Sequence, residues 1–154
     1  MDLRIIATGT IRKGPERDLI DDYLSRLKRA GPQVGFRRAE EIECRAGGGP
    51  EEEASRLLAR CGDGAHIIAL DEAGHARSSA GLAADLAKWR DRGCRQTCFL
   101  IGGAEGHGDP VCRAADEKLA LGVQTWPHRL VRILIAEQLY RAATILAGQP
   151  YHKS

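Results

Sequence analysis

Short apolar runs alternate with segments of helical periodicity along the chain. Apolar residues at 3–7 form a β-prone run, and those after Pro15 recur at helical spacing until Gly31-Pro32. The same succession repeats four more times. It predicts strands near 3–7, 33–43, 65–70, 97–101 and 119–124, and helices near 15–30, 51–60, 79–92, 110–116 and 128–146. Strands that alternate with helices in this way are typical of an α/β domain with a mainly parallel sheet.

The last helix carries more apolar residues than one buried stripe needs. Pro127 fixes its own φ and predicts that the helix starts near His128 or Arg129. Two apolar faces follow: Leu130, Ile133 and Leu134 on one, and Val131, Ile135, Leu139, Ala142 and Leu146 on the other. Because one sheet covers only one face, we expect a second subunit to cover the other. The alternative is a central helix of one domain.

Length and composition favour a soluble globular protein over a membrane or disulfide-rich one. The 154 residues, 43% of them hydrophobic, suit one globular domain spanning 1–154, with no apolar leader and no run long enough to span a membrane. We therefore expect a soluble cytoplasmic protein.

The five cysteines are an odd number without a C-x-x-C pair, which favours reduced thiols over disulfides or a metal site. A net charge of +2 gives no argument for nucleic acid, so an RNA surface requires local clustering, for example of Arg4, Arg12, Lys13 and Arg17.

Three strand ends are expected to meet in one crevice, since ligands of open α/β sheets bind beyond the carboxyl ends of the strands. These ends are Leu70 with Asp71, Gly102 with Gly103, and the segment 122–127. The loop 102–108 matches neither the G-x-G-x-x-G motif of dinucleotide-binding proteins nor the P-loop. The alternative to a ligand-binding loop is therefore a turn without a ligand. The backbone of 122–127 suits a purine-like group. His128 and Arg132 lie beside the crevice on the first turns of the last helix, where a histidine is more often structural than catalytic.

Several segments, in order, resemble the RlmH family of SPOUT methyltransferases. The densest part is Thr125-x-Pro127-His128-x-Leu130-x-Arg132, followed by Glu137-Gln138-x-Tyr140-Arg141-Ala142 and Pro150-Tyr151-His152-Lys153; Leu70-Asp71 and 101–106 add two more. The resemblance covers essentially the full length. Ala104, Trp126 and Lys153 depart from the residues that are frequent there, and none of these changes removes a proposed chemical group.

The resemblance implies a trefoil-knotted SPOUT fold, S-adenosylmethionine bound in the knot without a metal, and a homodimer built on the last helices. It also implies methylation at N3 of pseudouridine 1915, in helix 69 of 23S ribosomal RNA, on the assembled 70S ribosome. The residues expected at the cofactor are Leu70, Gly102, Gly103, Gly122, Val123, Gln124, Thr125, Trp126 and Pro127.

Transfer of the methyl group requires alignment of the donor and removal of the N3 proton. The expected catalytic residues are His128, Arg132, Tyr151 and His152. We favour the tail for placing and deprotonating the base, because a Tyr-His-Lys segment can stack on a nucleotide and contact phosphate. Arg141 and Lys153 are expected to contact RNA, and Arg132 and Arg141 to contact RNA or the opposite subunit. The alternative for the tail is a frayed terminus.

Two functions of another class remain open at this point. One is a non-catalytic ribosome-binding or assembly factor on the same scaffold, and the other is an oxidoreductase that uses a nicotinamide cofactor. Titration with S-adenosylmethionine and a nicotinamide nucleotide separates the three.

Overall fold

The fold is built on a sheet of five parallel strands. The computed structural model describes residues 1–153. The strands are β1 (Asp2–Thr8), β2 (Arg38–Cys44), β3 (His66–Ala76), β4 (Gln96–Ile101) and β5 (Glu117–Ala120), in the order β2-β1-β4-β3-β5. The helices are α1 (Pro15–Ala30), α2 (Pro50–Leu58), α3 (Ser79–Asp91), α4 (Asp109–Ala114) and α5 (His128–Leu146), and a 3-10 turn spans Gly31–Val34. The predicted α/β architecture with a mainly parallel sheet is confirmed.

Helices cover both faces of the sheet. Helices α1, α3 and α5 pack together on one face, and α2 and α4 on the other. Strand residues alternate accordingly: Leu3 and Ile5 join the core under α1 and α5, whereas Ile6 joins the core under α2. The central strand β4 is buried on both faces, which explains its continuous apolar run.

The predicted end of the third strand at 71–74 is wrong. Strand β3 pairs with β5 as far as Leu70, whose partner is Leu119. The pairing then stops for four residues and resumes at His75, opposite Leu119, and at Ala76, opposite Ala120. The intervening residues bulge outward beside β5. At Gly74 an added Cβ would lie 2.6 Å from the Lys118 carbonyl carbon, so only glycine allows the strand to return.

Two other strand boundaries differ from the prediction. Strand β2 begins at Arg38, because residues 31–34 form the 3-10 turn and Gly35 then reverses the chain with a φ of 79°. Strand β5 ends at Ala120, and residues 121–124 form bends in which Gly122 has a φ of 104°. Both differences shorten strands in favour of turns built on glycine.

Only one of the two apolar faces of α5 is buried within the chain. Ile135, Leu139 and Ala142 are at most 1% exposed and belong to the core. Leu130, on the other face, is 39% exposed, and Ile133 and Leu134 are half-buried. The helix begins at His128, as Pro127 predicts. None of the helices described is long and apolar enough to cross a membrane.

Candidate active site

A cleft of about 410 Å³ lies at the carboxyl ends of β3, β4 and β5. The three segments that the sequence brings to one crevice all contribute to its wall. Its lining is Leu70, Asp71, Glu72, Ile101, Gly102, Gly103, Ala104, Glu105, Gly106, His107, Leu119, Leu121, Gln124, Thr125, Trp126, His128 and Val131.

The loop after β4 forms one side of the cleft as a tight turn. The Gly106 amide donates to the Gly103 carbonyl oxygen at 3.0 Å. A Cβ on Gly102 would lie 2.7 Å from the Gly106 carbonyl oxygen, so the loop cannot close over a larger residue. A Cβ on Gly103 would instead meet the Glu53 carboxylate, at 2.6 Å, which is the end of a flexible side chain. Of these two glycines, Gly102 is therefore the one that tolerates a side chain less well.

His107 ties this loop to the end of β3, a role that the sequence does not reveal. Its Nε2 lies 3.0 Å from the Leu70 carbonyl oxygen, which can only accept, so Nε2 carries the proton. Burial lowers the pKa of His107 and keeps the ring neutral. In the sequence the residue stands out only because it interrupts a glycine-rich loop.

Carboxylates line the mouth of the cleft. The Ala73 amide donates to Asp71 at 2.9 Å and holds the pKa of that carboxyl below its ordinary value, with the Lys118 ammonium at 3.3 Å as a second cause. Glu72 accepts a hydrogen bond from the Thr125 hydroxyl. Glu72 and Glu105, which have no cationic partner among the described residues, make the cleft attractive to a cationic ligand.

The segment 121–127 contributes to the cleft only in part. Gln124, Thr125 and Trp126 line it, and the Trp126 indole donates to the Leu121 carbonyl oxygen at 2.9 Å. Three of the expected cofactor residues do not line it. Gly122 borders a neighbouring groove, Val123 is 93% exposed, and Pro127 precedes the first residue of α5.

His128 faces the cleft from the first turn of α5. Its pKa is lowered by partial burial and by the nearby positive charges of Arg132 and Arg129. The imidazole is therefore neutral at physiological pH and has a lone pair available to accept a proton.

Arg132 is buried, which corrects the expectation that it contacts RNA or a partner subunit. Its guanidinium is 1% exposed and pairs with Glu41 (3.1 Å) and Glu43 (2.7 Å). It also donates to the carbonyl oxygens of Thr8 (2.9 Å) and Gly9 (2.7 Å). Arg132 thus fastens the start of α5 to β2 and to the loop after β1, one helical turn beyond His128.

Ion pairs within the chain also neutralise part of the basic cluster that the sequence suggests near the N-terminus. Arg4 pairs with Glu40 at 2.6 Å, and Arg17 pairs with Glu41 beside Arg132. Arg12 and Lys13 remain exposed at the carboxyl edge of the sheet. Two of the four charges are therefore neutralised within the chain.

The C-terminal tail folds back on α5. The Tyr151 hydroxyl donates to Glu137 at 3.0 Å, and its ring packs on Tyr140 with centroids 4.7 Å apart. Arg141 donates to Glu137 and, at 3.3 Å, to Nδ1 of His152. Lys153 is exposed. Burial, Tyr23 and Glu137 raise the pKa of Tyr151, so its phenol stays protonated.

The tail and the cleft do not meet within one chain. Residues 137 and 141, which hold the tail, lie nine to thirteen positions beyond His128 on α5. At the helical rise this separation is about 14–20 Å along the axis. The structure therefore places His128 at the cleft. It places Tyr151 and His152 elsewhere, against Glu137, Tyr140 and Arg141 of α5.

Among residues 1–153, no group of three or more histidine, cysteine, aspartate or glutamate side chains is arranged to hold a metal ion. The cleft is lined by glycines, apolar side chains, carboxylates, His107, His128, Gln124 and Thr125.

Comparison with known proteins identifies the family. The family described as "Predicted SPOUT methyltransferase" matches residues 1–152. The chain belongs to the SPOUT methyltransferase family. A Hyphomonas neptunium protein named ribosomal RNA large subunit methyltransferase H is 56% identical over 154 residues, covering all of both chains. Proteins of that name from Roseobacter denitrificans and Maricaulis maris are 51% and 45% identical, over at least 99% of both chains.

These matches confirm the resemblance to the RlmH family of SPOUT methyltransferases that the sequence motifs indicate. The parallel sheet flanked by helices is accordingly a SPOUT fold. The cleft at its carboxyl edge is the candidate active site of this family member.

Proposed function

We propose that the protein transfers a methyl group from S-adenosylmethionine to N3 of pseudouridine 1915, in helix 69 of 23S ribosomal RNA, on the assembled 70S ribosome in the cytoplasm. The observation that carries the proposal is full-length similarity, at up to 56% identity, to proteins named for methylation of large-subunit ribosomal RNA. The cleft supports it because its size and lining suit the cofactor.

The cleft matches the chemistry of S-adenosylmethionine. Its volume of about 410 Å³ is that of a typical small-molecule site. Leu70, Leu119 and Trp126 offer apolar surface for an adenine ring, and the carboxylates at the mouth favour a ligand that carries sulfonium and ammonium charges. When bound, this cofactor supplies an electrophilic methyl group.

His128 is the best placed group to take the N3 proton. It lies in the cleft and its lowered pKa leaves it neutral. Tyr151 stays protonated, and Nδ1 of His152 already accepts a hydrogen bond from Arg141. We therefore assign the base to His128 and the placement of the RNA to the tail, which reverses the preference drawn from the sequence.

The pH dependence of methyl transfer tests this assignment. Since the imidazole must be neutral and its pKa is lowered, the rate should fall to half at a pH below the ordinary histidine value of about 6.5. His128→Ala should lower kcat by about 10²–10⁴-fold and abolish that acid limb. His152→Ala is the matched control and should retain the limb. The assignment is wrong if the limb disappears in His152→Ala and persists in His128→Ala.

A second copy of the chain would complete the site. The tail is held about 14–20 Å from the cleft along α5, so it does not reach the same chain's cleft in this arrangement. Val123, Trp126 and Leu130 form an exposed apolar strip beside the cleft, continuous with half-buried Leu134. We propose that this strip is the homodimer interface and that each cleft receives the partner's tail.

If this strip is the dimer interface, charged substitutions should disrupt the dimer on the strip and leave it intact elsewhere on the surface. Leu130→Glu together with Leu134→Glu should give a folded monomer, because both side chains lie on the outward face of α5. Leu19→Glu is the control, since Leu19 is 44% exposed on α1, and it should remain dimeric. Light scattering at micromolar concentration measures the mass. A wild-type monomer, or a dimer in the double variant, would contradict the proposal. Charges at Ile135 or Leu139 would instead disrupt the core.

Isothermal titration tests the cofactor proposal. S-adenosylmethionine should bind the wild type, and Gly102→Ala should weaken binding at least tenfold, because its Cβ collides with the backbone at Gly106. Gly103→Ala should have the smaller effect, since only the Glu53 side chain must move. Circular dichroism checks folding. No binding of S-adenosylmethionine would favour the assembly factor, and binding of a nicotinamide nucleotide would favour the oxidoreductase.

A further inference from the structure

A pair of cysteines that the cleft does not use lies under the end of α2. Cys98 is buried on β4, and Cys61 packs against the same core from the turn that follows α2. Both are free thiols. The side-chain oxygen of Gln96 joins the two segments, since it accepts from the Gly62 amide at 2.7 Å and from the Cys98 thiol at 3.4 Å. The turn therefore rests directly on the start of β4.

The sheet places a positive charge beside this pair. In the pairing of β1 with β4, Arg4 lies opposite Cys98, so the two side chains leave the sheet on the same face. The Arg4 guanidinium donates to the Arg60 carbonyl oxygen at 3.1 Å, which holds it against the residue before Cys61. It also pairs with Glu40 at 2.6 Å on its other side. The guanidinium is thus fixed between the turn and the strand.

The two thiols differ in ionisation and in exposure. A hydrogen bond from the Cys98 thiol lowers the pKa of Cys61, and the charge of Arg4 lowers it further. The same contact and burial raise the pKa of Cys98. Cys61 is half-buried and within reach of a small solute, whereas Cys98 is fully buried. An accessible thiolate beside a shielded, protonated thiol is the arrangement of an attacking and a resolving cysteine.

We propose that Cys61 and Cys98 form a dithiol that hydroperoxides oxidise to a disulfide within one chain, with Cys61 as the reacting cysteine. First, the Cys61 thiolate attacks one oxygen of hydrogen peroxide: an S–O bond forms, the O–O bond breaks and hydroxide leaves. The Cys98 sulfur then attacks the sulfenic acid: the S–S bond forms, the S–O bond breaks, and the hydroxyl leaves as water with the Cys98 proton. Since hydroxide takes up the proton that Cys61 released, two thiols and one peroxide give a disulfide and two waters.

The second thiol would hold the oxidation of Cys61 at a reversible stage. A sulfenic acid without a neighbouring thiol reacts with more peroxide to give a sulfinic acid, which thiol reductants do not reverse. With Cys98 in contact, the sulfenic acid is consumed as it forms. The inference does not rest on the proposed function, because no step uses the cleft.

The test uses a parent protein that carries Cys112→Ser and so keeps four of the five cysteines. Cys112 is exposed and shares the tryptic peptide 96–113 with Cys98, so its removal makes the assignment of a disulfide unique. The reduced protein is treated with a small molar excess of hydrogen peroxide, unfolded in urea with N-ethylmaleimide, and digested with trypsin. Mass spectrometry should show peptide 61–77 linked to peptide 96–113, with the loss of two thiols per chain. Dithiothreitol should restore both.

Three further changes in this parent assign the roles. Cys61→Ser should give neither a disulfide nor a sulfenic acid at Cys98. Cys98→Ala should stop at a sulfenic acid on Cys61, which dimedone traps. Cys94→Ser is the matched control, because Cys94 is a half-buried thiol beside the same strand, and this variant should form the disulfide as the parent does. Circular dichroism checks folding, and the parent and Cys61→Ser decide the question even if Cys98→Ala does not fold.

Labelling of all four thiols by maleimide after the peroxide treatment would contradict the inference. So would oxidation of Cys98 in the Cys61→Ser protein, since Cys98 would then react without the proposed attacking thiolate. A linked pair of peptides that derives from two chains, seen as a dimer on a denaturing gel without reductant, would contradict it as well.

Discussion

A chain that ends at Pro150 should lose methylation of the ribosome while it retains the cofactor site. Tyr151 and His152 rest on Glu137, Tyr140 and Arg141, away from the cleft. Their removal leaves the Arg141–Glu137 ion pair and the core intact. We expect methyl transfer to fall by at least a hundredfold and the affinity for S-adenosylmethionine to stay unchanged. The lost Tyr151–Tyr140 packing of about 1 kcal/mol should lower Tm by roughly 2–4 °C.

The control for this truncation is a chain that ends at Lys153, which should behave as the wild type. Single changes then separate the contributions. Tyr151→Ala should weaken ribosome binding by roughly ten- to a hundredfold through lost stacking. Lys153→Ala should weaken it more at low than at high salt. Full activity in the chain ending at Pro150 would identify the tail as a packed terminus without a role in catalysis.

Replacement of Arg132 by methionine should strongly destabilise the fold. The substitution leaves Glu41 and Glu43 with Arg17 as their remaining guanidinium partner among the described residues, and it removes the guanidinium that donates to the carbonyl oxygens of Thr8 and Gly9. Breaking one side of a buried ion pair costs about 3–5 kcal/mol, a large part of the stability of a typical domain. Urea unfolding should show a correspondingly lower midpoint.

Arg129→Met is the matched control, because Arg129 is exposed on the same turn of α5 and should change the free energy of unfolding by less than about 0.5 kcal/mol. Arg132→Met combined with Glu43→Gln should recover part of the loss. If Arg132→Met unfolds at the wild-type urea concentration yet loses activity, Arg132 acts on substrate and its burial is not its role.

Local sequence signals predict most of the secondary structure. Pro15, Pro50 and Pro127 mark the starts of α1, α2 and α5, and Ser78 caps α3 by accepting from the Gly81 amide at 3.0 Å. The convergence of three strand ends in one cleft follows from parallel strands alone. These features depend on neighbouring residues and on a general rule of α/β sheets.

Features that depend on distant contacts are not predictable in this way. The return of β3 to the sheet after 71–74 is set by its pairing with β5, more than forty positions away. Arg132 is buried because Glu41 and Glu43, about ninety positions earlier, lie beneath it. His107 is bonded to Leu70 for the same reason. The knot entered the prediction only through resemblance, since threading of a chain leaves no periodic pattern in its sequence.

The outcome for α5 illustrates the limit of periodicity. Its two apolar faces are visible in the sequence, but the pattern does not say which of them the chain itself covers. Packing against α1 and α3 buries the face with Ile135 and Leu139 and leaves Leu130 outward. The face that a second subunit is expected to cover is therefore the one with Leu130.

The most direct test of the proposed function is transfer of a labelled methyl group from S-adenosylmethionine to ribosomes that lack the modification, followed by nuclease mapping of the labelled nucleotide. We predict one methyl group per ribosome, at N3 of the pseudouridine at position 1915 in helix 69, and at least a hundredfold less label with His128→Ala or with the chain that ends at Pro150. Label at another nucleotide, or none with a protein that binds S-adenosylmethionine, would contradict it.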